Sequence, residues 1–385
     1  MEEALSRYDF GGRVLRCEPC GSGHINETCC VTCAAPDGGE KRFLLQRMNR
    51  AVFQDIEGLM ENVANVTSYL HRRLERGGGD TERGSMSLLP TREGGSWCTD
   101  SEGGCWRVFL YIEGAVSLDR VEKPEDFYET ALAFGNFQRL LAEFPAETLH
   151  ETIPNFHNTA ARFDALERSV KADACGRAAG VQPEIAFAMA RRGEAGTLVR
   201  MQRDGLLPLR VTHNDTKLNN VMLDAETGRG LCVVDLDTVM PGLAVNDFGD
   251  SIRFGASTAD EDERDLSKVE MDLGLFEIFA KGFLEGCGGS LTENEIRALP
   301  MAAKLMTLEC GVRFLTDYLD GDRYFRIRRE GQNLDRARTQ FKLVADMEKK
   351  WDAMHEAIRR VAGAVRDAEQ SKASRDRRGG GEETV

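Results

Sequence analysis

The stretch from Val211 to Asp250, VTHNDTKLNNVMLDAETGRGLCVVDLDTVMPGLAVNDFGD, constrains this chain more than any other. His213, Asp215, Lys217 and Asn220 stand at fixed short offsets in a polar segment. A glycine-bearing turn, Thr227 to Gly230, follows, and the apolar run Leu231 to Val234 then ends in Asp235-Leu236-Asp237. A helix would spread the first four side chains around its axis, whereas a short rigid loop presents them toward one point. The apolar run reads as a buried strand that delivers Asp235 at its carboxyl end, a usual place for ligand-binding groups.

Those residue types answer the needs of phosphoryl transfer from a nucleotide bound with Mg²⁺. One carboxylate accepts the acceptor hydroxyl's proton, a second carboxylate and an amide oxygen hold the metal, and a cation offsets charge on the moving phosphate. Asp215 five residues before Asn220, with Lys217 between, is the spacing of a kinase catalytic loop. Asp215 is expected to be the base and Lys217 the phosphate-facing cation. Asn220 and Asp235 are expected as Mg²⁺ ligands, because that ion takes hard oxygens. Asp237 is a further candidate ligand, with bracing of the loop as its alternative role. His213 is expected to hold the loop backbone.

Upstream, Val14 to Cys17, Thr28 to Thr32 and Phe43 to Arg47 read as short strands separated by glycine turns, the first of them Gly21-Ser22-Gly23-His24. In a kinase-like amino-terminal sheet, Gly21 and Gly23 would let backbone N–H groups approach phosphates. Ile25 is a candidate adenine contact. No Val-Ala-Ile-Lys motif is present; Gln46-Arg47 stands where a strand lysine belongs, which makes Arg47 a candidate phosphate ligand. Val52 to Leu74 is helical in pattern, its apolar residues from Ile56 to Leu74 recurring at helical spacing. Arg76 to Gly104 reads as a long surface connection around one short strand, and Trp106 to Ile112 is a strand that Glu113-Gly114 breaks. Helices are expected at Pro124–Phe144, Asn158–Ala172, Pro183–Arg192, Asp265–Leu284, Thr292–Tyr318 and Asp335–Val365. The division expected is an amino-terminal lobe at 1–113, a mainly helical lobe at 114–367 and a disordered tail at 368–385. The fold class is α+β, a protein-kinase-like two-lobed fold with a small antiparallel sheet and a larger helical part.

A formal net charge of −14 over 385 residues argues against a general nucleic-acid binder, which needs a basic surface. No apolar run is long enough to span a membrane, and the first residues, MEEALSRYDF, have no secretory core, so a cytoplasmic protein is expected. The eleven cysteines should then be reduced thiols. Cys17-x-x-Cys20 and Cys30-x-x-Cys33 imitate a zinc site, but residues three apart in a strand face opposite ways, so structural zinc is not expected.

THNDTKLNNVMLD, VVDLDTVMPG and NDFGDSIRF resemble the N-acetylhexosamine 1-kinases, within the aminoglycoside phosphotransferase and choline kinase superfamily. SGHINET, FLLQRMNRAVFQD, ETIPNFHNTAARF, RFLTDYLDGDRYF and NLDRARTQFKLV extend the resemblance over most of the chain. It implies ATP and Mg²⁺ as cofactors, and transfer to the C1 hydroxyl of a small-molecule N-acetylhexosamine, with Asp215 as base. It further implies that Ile25 and Phe254 clamp adenine and that Arg313 and Tyr324 contact the sugar. His157 is a candidate substrate contact, with capping or packing as its alternative. A kinase of another small alcohol, such as an aminoglycoside, choline or amino-alcohol, is the nearest competing reading. A non-catalytic pseudokinase scaffold is the competitor of another class. The oligomeric state is not legible.

Overall fold

The computed structural model describes residues 1–21 and 25–379. In chain order the strands are β1 (Val14–Pro19), β2 (Glu27–Ala34), β3 (Glu40–Met48), β4 (Cys98–Thr99), β5 (Cys105–Leu110), β6 (Ala115–Val116), β7 (Arg210–Thr212), β8 (Val221–Asp224), β9 (Gly230–Val233) and β10 (Met240–Gly242). The helices are α1 (Glu2–Ser6), α2 (Ile56–Arg76), α3 (Pro124–Leu140), α4 (Thr159–Ala172), α5 (Gln182–Met189), α6 (Thr197–Arg203), α7 (Ala244–Gly255), α8 (Leu273–Cys287), α9 (Glu293–Leu319), α10 (Gln332–Lys349) and α11 (Trp351–Gly379). The class is α+β, as the sequence pattern implies.

Two compact units share the chain. The first takes in residues 1–116, 143–154 and 222–241; the second takes in 117–142, 155–221 and 242–385. The first unit is built on an antiparallel sheet of order β1-β2-β3-β5-β4. On one face Val31, Cys33, Phe43, Leu45, Trp106 and Val108 close over Ala4, Tyr8 and Phe10, so the short α1 seals a core that hairpins alone would leave wet. On α2, Ile56, Leu59, Met60, Val63, Val66 and Leu70 are buried at helical spacing, and Asp55 caps the helix by accepting from the Gly58 amide. Residues 222–241 join this unit because β6 pairs with β8 and β8 with β9, Ala115 facing Asp224 and Val116 facing Leu223. The Asp235–Asp237 turn therefore belongs to the sheet unit.

The connection from Arg76 to Gly104 is more structured than a surface loop. Leu89 donates to the Val108 carbonyl, Leu110 donates to the Ser87 carbonyl, and Leu88 bridges Phe109. With β4 against Cys105 and Trp106, this connection lines the outer edge of β5. Its polar composition hid that role, because an edge strand is held by backbone bonds that any residue other than proline makes.

The second unit is helical apart from β7 and its share of the strand ends. α3 and α8 lie close because Gly135 faces the Phe283 carbonyl and Gly286 faces the Leu132 carbonyl; a Cβ at either would collide with backbone. α7 is seated on α9 the same way, with Gly249 against the Ala302 carbonyl. The expected helix over Asp335–Val365 is two helices, α10 and α11, parted at Lys350, whose Nζ donates to the Met271 carbonyl and to Asp346. No local breaker marks that break; it is a tertiary contact. Helix α11 continues to Gly379, through residues expected as tail. All eleven cysteines are free thiols, and Cys29 and Cys33 lie buried on the apolar face of β2. Among the described residues no helix is long and apolar enough to cross a membrane.

Candidate active site

β7 leads into the loop of the second unit that holds the proposed base. Helix α7 braces that loop with carboxylates rather than apolar side chains. Asp247 accepts from the His213 and Asn214 amides at 2.9 and 2.8 Å, and from Gln138 Nε2 on α3 at 2.8 Å. Asp250 accepts from the Thr216 amide at 3.1 Å, and Ser251 Oγ donates to the Thr216 carbonyl. Burial pushes the Asp247 carboxyl up, against the two amides and His213. Burial acts the same way on Asp250, but Arg253 beside it, together with the charges of His157 and Lys217, outweighs that and holds the carboxyl below its ordinary value. Asn214 takes φ +66°, a conformation asparagine tolerates better than most residues. The buried His213 packs edge-on to Phe134 and Phe137, and its Nδ1 accepts from the Asp215 amide at 3.3 Å.

On this loop the structure brings Asp215, Lys217 and Asn220 together. Lys217 Nζ lies 2.8 Å from Asp215 Oδ1 and 2.9 Å from Oδ2. Asn220 Nδ2 donates to the Asp215 carbonyl at 2.8 Å. With its amide nitrogen so engaged, Asn220 turns an oxygen that takes no hydrogen bond among the described residues, which is the atom a cation would use. The Asp215 side chain keeps about a quarter of its surface open (24%).

His157 is not placed as a substrate contact. Both ring nitrogens are engaged, Nδ1 with Glu309 Oε1 at 3.0 Å and Nε2 with the Asn214 carbonyl at 3.2 Å. It ties α9 to the loop. Burial, the largest single influence, would lower its pKa, but the Glu309 hydrogen bond together with the negative charges of Glu309 and Asp250 raises it. Glu309 is held below its ordinary range, since His157 and Thr159 bond it strongly enough to offset burial.

Next to His157, Phe156 forms a shelf with Tyr324 and Phe325. The Arg313 guanidinium lies 5.4 Å from the Phe156 ring, 5.8 Å from Tyr324 and 5.4 Å from Phe325. It makes no ion pair and no side-chain hydrogen bond among the described residues. Arg162 stands nearby, donating to the Phe156 carbonyl at 2.7 Å, and its Nε is buried without an acceptor among the described residues. Burial first, and the Arg313 charge second, lower the Arg162 pKa. Asp317 accepts from the amides of Arg323, Tyr324 and Phe325, so the loop carrying Tyr324 is fixed although that ring is 65% exposed. Phe254 is half-buried in the last turn of α7.

In the sheet unit, Asp235 follows β9 with φ +60° and ψ +61°. Asp237 sits in the bracing arrangement rather than as an open ligand. Its Oδ1 lies 2.6 Å from Arg107 Nη1, and its Oδ2 accepts from Asn26 Nδ2 at 2.6 Å. Arg107 in β5 is 1% exposed and also donates from Nε to Gln46 Oε1 at 3.0 Å. Arg47 points the other way. Strand alternation puts it on the face of Phe43 and Leu45, over Trp106 and 3.7 Å from Glu27, while Gln46 shares the face of Arg107. The buried cation among the described residues of this unit is thus Arg107, one strand away from Arg47. Gly21 takes φ +85° and Ile25 is exposed; Gly23 lies outside the described residues.

Sequence reasoning also passed over Asp247, Asp250, Glu309, Gln138 and Arg162. The clearest signal was the pair of acids in Asn246-Asp247-Phe248-Gly249-Asp250, three apart and so on one helix face.

Residues 17–273 match the model of the phosphotransferase enzyme family, APH. That span holds Asp215, Asn220 and Asp235 and ends before Arg313 and Tyr324. The aminoglycoside phosphotransferase of Alicyclobacillus acidocaldarius superposes with a TM-score of 0.54 at 12% identity, over 96% of each chain. A microcompartment-associated aminopropanol kinase gives 0.53 at 15% identity, over 92% of this chain and 97% of its own. Amicoumacin kinase hAmiN, in complex with AMP-PNP, Ca²⁺ and Ami, gives 0.51 at 12% identity, over 91% and 96%. These likenesses show a shared kinase-like fold. With a family match over well more than half its length, the chain belongs to the phosphotransferase enzyme family.

Proposed function

We propose that this protein phosphorylates the anomeric C1 hydroxyl of an N-acetylhexosamine, using ATP and Mg²⁺. The observation that carries the acceptor class is the Arg313 guanidinium, stacked among Phe156, Tyr324 and Phe325 without an ion pair among the described residues. An amine acceptor needs carboxylates around it. Here a second guanidinium, Arg162, stands beside the first, and the adjacent Glu309 is already committed to His157 and Thr159. Guanidiniums donate well to carbonyl and hydroxyl oxygens, and aromatic shelves take the apolar face of a sugar ring.

In this reading Asp215 accepts the C1 hydroxyl proton. That hydroxyl is hemiacetal and more acidic than an ordinary alcohol, so a carboxylate of modest basicity suffices. Lys217, now on Asp215, exchanges part of that contact for the transferring phosphate. Asn220 and Asp235 supply the oxygens for the metal, and the donor set fits: hard oxygens only, one of them an amide oxygen with no competing donor. A cation held by these oxygens would supply positive charge to offset that on the nucleotide's phosphates. Gly21 and Ile25 cover the nucleotide, and Phe254 contacts its base. That amicoumacin kinase holds AMP-PNP with Ca²⁺ supports the expectation of a nucleotide and a divalent cation.

The deciding experiment is an acceptor panel with MgATP, the position of the new phosphate being read by phosphorus NMR. GlcNAc or GalNAc is expected to give a sugar 1-phosphate. Turnover of choline, aminopropanol or an aminoglycoside without any hexosamine would overturn the reading in favour of an amine kinase.

A further inference from the structure

We infer that Arg107 is a positioning residue for phosphoryl transfer, fixing through Asp237 the turn that presents Asp235. This rests on the reading of Asp235 as a metal ligand. Arg107 occupies the middle of β5, in a run that is otherwise apolar, and has 1% of its surface exposed. A buried guanidinium survives only when paired and hydrogen-bonded. Here its contacts are Asp237 at 2.6 Å, Gln46 at 3.0 Å, Met60 Sδ at 3.7 Å and the Phe109 ring. An apolar pair of similar volume would serve stability as well or better, so stability alone does not account for the charges.

What the pair touches supplies a reason. Asp237 is two residues beyond Asp235, whose left-handed backbone is one that a non-glycine residue keeps only when its surroundings hold it there. The turn is held at Asp237 by Arg107 and Asn26, and again at the Val239 carbonyl, which accepts from Asn62 Nδ2 on α2 at 3.0 Å. Asn26 in turn accepts from the Asn49 amide at the end of β3, and Gln46 donates to Thr28 Oγ1. One buried cation thereby fixes the Asp235 turn to the start of β2 and the end of β3.

The test removes both charges at once, so that neither is left buried alone. Arg107→Met with Asp237→Asn is compared with the wild-type chain for thermal unfolding, for Mn²⁺ binding with AMP-PNP by electron paramagnetic resonance, and for turnover. The double variant is expected to melt within a few degrees of wild type. It should bind Mn²⁺–AMP-PNP more weakly by about tenfold or more and lose turnover in proportion, with the acceptor KM unchanged. Arg107→Lys keeps the charge without the two-armed contact; it is expected to fold and to weaken Mn²⁺ binding about threefold or more. A folded double variant, or a folded Arg107→Lys variant, that binds Mn²⁺–AMP-PNP as wild type does overturns the inference. Absence of Mn²⁺–AMP-PNP binding in the wild type instead overturns the metal–nucleotide reading, and this inference with it.

Discussion

At Asp215 the carboxylate is both presented and restrained, since Lys217 reaches both oxygens and Asn220 holds its carbonyl. Asp215→Asn keeps the shape and removes the proposed base. Turnover is expected to fall about 10²-fold or more while nucleotide affinity is largely kept, a split that steady-state kinetics and calorimetry can check. His157 offers a test by pH. Its folded pKa lies above 6.5, so the stability it lends is complete below that value and is lost as pH rises through the raised one. Glu309 lies below 4.5 when folded, so its share is present above that value and is lost as pH falls. The melting-temperature advantage of wild type over His157→Gln should therefore narrow as pH goes from about 6 to about 9. An advantage that stays constant over that range would show that the ring acts only as an uncharged hydrogen-bonding group. At this scale the grouping of Asp215, Lys217 and Asn220 was legible because the three lie close together in sequence. The pairing of His157 with Glu309 was not, because the two meet only through tertiary packing.

Helix α7 shows how an element can be polar and still belong to the core. Asn246, Asp247, Asp250, Ser251 and Arg253 are all buried, and an apolar-periodicity search passes over such a helix. Its partner is a loop whose amides need acceptors, and Asp247 alone serves His213, Asn214 and Gln138. Asp247→Asn leaves one acceptor oxygen where two were used. It should destabilise the second unit by about 2 kcal/mol, with turnover falling alongside, as denaturant melts and initial rates will show. Unchanged values for both would remove α7 from the loop's support. The strands tell a complementary story. β3 and β5 were readable from composition, yet the facing of Gln46, Arg47 and Arg107 depends on register, and a shift of one residue reverses it. Arg47 was the residue the motif suggested, and Arg107 is the cation the sheet buries beside Asp237.

Over the whole molecule, hydrophobic pattern and glycine turns were enough to separate a sheet-based part from a helical one. They did not show that residues 222–241 belong with the sheet, because that membership is decided by the pairing of β8 with the two-residue β6. Nor did they show what the segment from 77 to 104 does. It runs along β5, with Ser87 to Leu89 on one half and β4 on the other. Taking it out would not merely shorten a surface excursion. It would strip β5 of its outer partner and expose a row of unpaired N–H and C=O groups beside Trp106, Val108 and Phe109. A chain lacking residues 85–99 is therefore expected to self-associate edge to edge, seen as concentration-dependent light scattering, whereas substitutions confined to the exposed turn at Glu93 and Gly94 should leave it monodisperse. The segment that reads as the most dispensable in the sequence is, on this account, what keeps the sheet from recruiting strands from other copies.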